Sequence, residues 1–107
     1  MMSEPMKVES VARSQASVVL THEGGLHARP SIKLTQLAKR FESNIWIGLA
    51  QDGPWIDAKS IARVMAMKTP SMTTLHFLAE GGDADEAVSA LVKLVESDFT
   101  DMPSNGQ

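Results

Sequence analysis

The stretch TTLHFLAEGGDADEAVSALVKLV, residues 73–95, changes its hydrophobic period part-way along. In its first third, Leu75, Phe77 and Ala79 alternate with Thr74, His76 and Leu78, the period of two expected of a strand with one face on a core. After Gly81-Gly82 the apolar residues fall at Ala84, Ala87, Val88, Leu91, Leu94 and Val95, a single stripe at the helical period. Asp83 and Glu86 stand where an acidic capping box would start that helix. A strand with one wet face and a helix with one apolar stripe each need a partner layer, so a layered α+β architecture is predicted.

The same two periods recur upstream. Ala16, Val18 and Leu20 alternate with Ser17, Val19 and Thr21, which predicts a strand. From Ala28 onward, Leu34, Leu37, Ala38 and Phe41 trace an amphipathic helix, and Pro30 suits its first turn. SNIWIGLAQDGPWIDA reads as a hairpin: Ile45, Ile47 and Leu49 share a face, Gln51-Asp52-Gly53 supplies turn chemistry, and Trp55-Ile56 begins the return. Pro54 cannot donate to a ladder, so the return strand is expected at an edge. KSIARVMAM, residues 59–67, predicts a short helix ending before Pro70. Trp46 and Trp55 are read as packing aromatics on neighbouring strands, and His76 as a residue of the open sheet face. The order is β-α-β-β-α-β-α, and the hairpin and alternation predict an antiparallel sheet covered on one face by helices. The domain is expected at 15–100, with flexible segments at 1–14 and 101–107 and fraying from DFTDMPSNGQ onward.

A chain of 107 residues suffices for one core. It has no cysteine, which rules out disulfides, thiolate metal sites and a cysteine nucleophile. The first residues include acids and no apolar run, and no stretch reaches the length of a membrane span; a cytoplasmic location is expected, without membrane insertion. The formal net charge of −3 gives no sign of the basic face that nucleic acid requires.

Chemistry concentrates in Gly24-Gly25-Leu26-His27-Ala28-Arg29-Pro30. A helix beginning just after His27 leaves its first backbone N–H groups, including those of Ala28 and Arg29, without partners. With the positive end of the helix dipole they form a place for an anion. Arg29 adds a permanent planar charge within one turn, and the glycines let the backbone bend sharply. Imidazole is a good nucleophile near neutral pH. Were His27 to attack phosphorus, the same donors would hold the resulting dianion, each charge-assisted bond contributing roughly 1.5–3 kcal/mol. Taken alone, the heptapeptide is also compatible with a surface histidine before a helix. His22 and His27 with Glu23 between them raise a metal site only weakly, and no metal or other cofactor is expected.

GLHARP at residues 25–30, DAKSI at 57–61 and the AEG of 79–81 before an acidic helix start together make the chain similar to HPr, the histidine-containing phosphocarrier family of the phosphoenolpyruvate-dependent phosphotransferase system. The likeness runs from about Ser17 to Phe99. It implies an open-faced β-sandwich: a four-stranded antiparallel sheet with three helices on one face. It also implies that His27 accepts a phosphoryl group on Nδ1 from phosphorylated enzyme I and passes it to an enzyme IIA, in a sugar-uptake or a regulatory branch, with Arg29 as the active-site arginine. The chain would then be a monomeric transferase component rather than a stand-alone enzyme. Ser60 matches the serine that a dedicated HPr kinase/phosphorylase modifies in some bacterial groups, and it also stands at an N-cap position. Ile61, Val64 and Met65 match apolar residues of the family's partner-docking surface, with Ile61 and Met65 the expected contacts and core packing the other reading. Two positions depart from the family: Gly24 replaces a polar side chain that supports the active loop, so that support is either missing or left to His22 or Glu23, and Met72 replaces a glycine. A regulatory module that keeps the fold and acts by docking alone is the alternative from another functional class.

Overall fold

The computed structural model describes residues 12–100. The tail expected at 101–107 and all but the last three positions of the expected arm lie outside the described residues. The elements are β1 (Arg13–Leu20), α1 (Ala28–Ala38), β2 (Asn44–Gly48), β3 (Ile56–Asp57), α2 (Ile61–Ala66), β4 (Thr73–Glu80) and α3 (Ala84–Glu96). The strands form one sheet in the order β1-β4-β2-β3, antiparallel at every pairing. The result is the open-faced sandwich of four strands and three helices.

Register follows the alternation. Val18 pairs with Leu75 and Ala16 with Phe77 across β1–β4, and Ile47 pairs with Phe77 across β2–β4. Leu20, Ile45, Ile47, Leu75, Phe77 and Ala79 are therefore buried on one face. Onto them pack Leu34 and Leu37 of α1 and Leu91, Leu94 and Val95 of α3, all fully buried. Each such side chain contributes about 1.5–3 kcal/mol relative to remaining exposed.

β1 begins at Arg13, so Arg13 and Ser14 belong to the sheet rather than to an arm. Arg13 pairs with Glu80, and the two side chains form an ion pair. β3 has only two residues and holds the sheet edge, as Pro54 required. Trp55 stays out of it: its ring lies across Gly48, where a Cβ would come within 3.2 Å of it. β2 ends at Gly48, so Leu49 leaves the alternation and is exposed, against the expected shared face with Ile45 and Ile47.

The capping box at α3 does not form. The Asp83 side chain makes no bond to its own helix. Its carboxylate accepts from the backbone N–H groups of Glu42 and Ser43, both at 2.9 Å, and from the Ser43 hydroxyl. Those bonds, with the Ser43 hydroxyl foremost, hold the Asp83 carboxyl below its ordinary range. The fraying expected from Asp98 also fails, because Phe99 is buried against the core and its N–H donates to Leu94 O at 2.8 Å. Asp98 and Phe99 both take left-handed backbone, each at φ 62.

Candidate functional site at the start of α1

The loop ahead of α1 is fixed before any ligand is considered. Gly25 N–H donates to His22 O at 2.9 Å, closing a turn, and Leu26 N–H donates to Thr69 O at 2.8 Å. Gly25 has φ 74, and a Cβ there would run into the Thr69 carbonyl, so only glycine fits. Leu26 is buried, and its carbonyl accepts from the buried Ser31 hydroxyl at 3.0 Å. Leu26 thus anchors the loop to the core and places the next residue, His27, at the lip.

His27 is the N-cap residue of α1, extended at φ −84 and ψ −160, and its side chain makes no capping bond. The ring is exposed. Its backbone carbonyl receives the first helical bond, from Ser31 N–H at 3.0 Å. By helix geometry the amides of Ala28 and Arg29 have no partner within the helix, and Pro30 has no N–H to offer. The first turn holds no acidic residue. Arg29 is exposed, and among the described residues it makes no ion pair. The positive helix end and two amides without helical partners thus lie at His27, with the exposed Arg29 in the same first turn.

Gly24 acquires a reason here. At φ 87, its missing Cβ would sit 3.0 Å from His27 Cδ2 and 3.3 Å from Nε2. That edge of the ring therefore lies against Gly24, and the opposite edge, which carries Nδ1, turns away from it. A second imidazole lies nearby. The His22 ring lies 5.5 Å from the His27 ring between centroids, tilted by 39°.

Two hollows flank the histidine. One, of 280 Å³, runs from His27 to α2 and is lined by Met65, Lys68 and Thr69 among others. Met65 is exposed and Ile61 half-buried. Val64 is fully buried on the inner face of α2; it is a core residue and presents nothing to a partner. The other hollow, of 230 Å³, is lined by His22, Arg29, Lys33, Asp98 and Phe99 among others. Ser60 caps α2, its hydroxyl oxygen accepting from Arg63 N–H at 3.3 Å. Met72 has φ 71 with its side chain exposed, so a methionine occupies the left-handed backbone that glycine would fill without strain. Among the described residues no group of three or more His, Cys, Asp or Glu side chains is placed to hold a metal ion. No helix among them is long and apolar enough to cross a membrane.

The family model described as the PTS HPr component phosphorylation site matches residues 14–97. The chain belongs to the HPr family. Among curated HPr relatives, the phosphocarrier protein HPr of Cupriavidus necator is 38% identical over 85 residues, covering 79% of this chain and 93% of that one. The multiphosphoryl transfer protein of Vibrio cholerae is 40% identical over 84 residues, which are 78% of this chain but only 21% of that much longer protein. Among solved HPr structures, one from Thermoanaerobacter tengcongensis superposes with a TM-score of 0.75 at 35% identity, covering 82% of this chain and 97% of that one.

Proposed function

We propose that His27 is the phosphoryl acceptor of a phosphotransferase-system carrier. The observation that carries this reading is an exposed imidazole at the N-cap of α1, free of any capping bond, in a first turn without acids. The Nδ1 lone pair forms a bond to phosphorus as the bond between phosphorus and the donor, phosphorylated enzyme I, breaks. The donor atom leaves with its electron pair. The Ala28 and Arg29 amides and the Arg29 guanidinium receive the phosphoryl oxygens, and the reverse exchange delivers the group to an enzyme IIA. The work of the protein is placement and charge stabilisation, which is most of what phosphoryl transfer asks of it. Met65, which lines the hollow that opens on His27, and the half-buried Ile61 on the same short helix provide a small apolar contact suited to short-lived partner encounters. Ser60 acts as a cap; its modification by a kinase would set a phosphate at the start of α2.

Incubation with enzyme I and radiolabelled phosphoenolpyruvate tests the assignment. Acid-labile, alkali-stable label that disappears in His27→Ala is the expected result. An unlabelled chain that nonetheless binds a partner tightly would favour the docking-only module and end this reading.

A further inference from the structure

His22 has an arrangement that a surface loop residue does not need. Its Nδ1 lies 2.6 Å from Asp98 Oδ1, although the two residues are 76 positions apart. Its ring meets the Phe99 ring edge-on at 5.4 Å and the His27 ring at 5.5 Å. The side chain is only 24% exposed. Asp98 and Phe99 reach it through two consecutive left-handed residues, a backbone that costs roughly 1–2 kcal/mol per residue for a side chain with a Cβ. Strain of this kind persists where the surroundings over-determine it, and such places cluster at functional sites. Lys33 Nζ donates to Phe99 O at 2.8 Å and ties this segment to α1.

An ionised carboxylate only accepts, so Nδ1 of His22 carries the hydrogen and Nε2 is the nitrogen left for other use. We propose that Nε2 of His22 hydrogen-bonds the phosphoryl group carried by His27, with Asp98 as the positioning residue that accepts from Nδ1–H and aims the ring. This rests on the assignment of His27 as acceptor. The ring centroids lie 5.5 Å apart, which puts His22 in the neighbourhood of a group bonded to His27. When His22 is protonated, Nε2–H donates to a phosphoryl oxygen; when it is neutral, that donor is gone. The lifetime of the phosphohistidine therefore depends on pH through His22. The charged and titratable groups facing His22 are Asp98 beyond α3, His27 at the lip of α1, and Arg29 and Lys33 on α1, with Glu23 next to it in the loop. His22 makes no bond to phosphorus in this scheme and gains or loses only a solvent proton.

The test uses the full chain, phosphorylated by enzyme I and phosphoenolpyruvate. The hydrolysis rate of the phosphoryl group is followed from pH 5 to 9 in wild type, His22→Gln and Asp98→Asn, with thermal melts to show that each is folded. Asparagine tolerates the left-handed backbone at position 98 better than most residues, so that variant keeps the readout if His22→Gln is unstable. Loss of one charge-assisted bond predicts hydrolysis on the order of tenfold faster at the acid end in His22→Gln. A smaller change is expected in Asp98→Asn, and both pH profiles should be flatter than wild type. Labelled wild type with unchanged rates and profiles in both variants overturns the role of His22 alone. Label that stays on the chain in His27→Ala would make His22 an acceptor rather than an auxiliary and also overturn it. A wild type that takes no phosphoryl group removes the His27 assignment, and this role with it.

Discussion

Helices α1 and α3 both begin on a residue whose side chain makes no capping bond, His27 in one and Asp83 in the other, yet the two starts are chemically opposite. α3 carries Asp85 and Glu86 in its first turn, so protein carboxylates meet its positive end. The Asp83 carboxylate is spent sideways on the loop before β2. α1 has no acid in its first turn and places an imidazole and a guanidinium there instead. The α3 start meets carboxylates of its own first turn, whereas the α1 start has none there. One fold thus uses the same element twice, once for stability and, under the proposed function, once for chemistry.

The sharpest way to break this contrast is to make α1 begin like a structural helix. His27→Asp supplies an N-cap carboxylate, which should abolish phosphoryl acceptance while raising stability by about 1 kcal/mol; a labelling assay and a denaturant titration on one sample read both. Removing the guanidinium is the next largest change. Arg29→Gln should slow phosphorylation on the order of tenfold or more through loss of a charge-assisted contact, with the melting curve unmoved because Arg29 is exposed and makes no ion pair among the described residues.

At α3 the effect should appear in stability against pH. The folded carboxyl of Asp83 titrates below its unfolded value, so the unfolded chain binds the proton first. The stabilisation is present above the ordinary carboxylate range and fades as pH falls through roughly 4 and below. Asp83→Asn should therefore lose stability at neutral pH and show a flatter acid limb, with phosphoryl acceptance unchanged. Smaller still is Met72→Gly, expected to stabilise by about 1 kcal/mol by relieving the left-handed backbone; a melt that falls would show that the exposed methionine packs in a way its φ conceals.

How much of this was legible in sequence varies with range. Period two and period 3.6, with turn and proline signals for β3 and α2, located all seven elements, because alternation at 73–80 and the stripe at 84–95 are local consequences of burial. The helix start that carries the proposed site was legible for the same reason: His27, Ala28 and Arg29 are consecutive, and a helix start is a local event. What was not legible lies across the chain. Nothing near Asp83 shows that its oxygens belong to Glu42 and Ser43, 41 and 40 residues away, so the capping pattern misled. Phe99 sits among polar residues in ESDFTDM and looks like a tail, yet the fold buries it and turns Asp98 toward His22. Val64 matched a docking position of the resembled family, but α2 has only one inward face and Val64 is on it.

The central claim is that the unpaired amides at the start of α1 receive the phosphoryl group from His27. Amide chemical shifts recorded before and after phosphorylation by enzyme I test it most directly. The account predicts that the Ala28 and Arg29 amide protons move strongly downfield while those of Asp85 and Glu86 stay where they were; a phosphorylated chain in which the α1 amides do not move would contradict it.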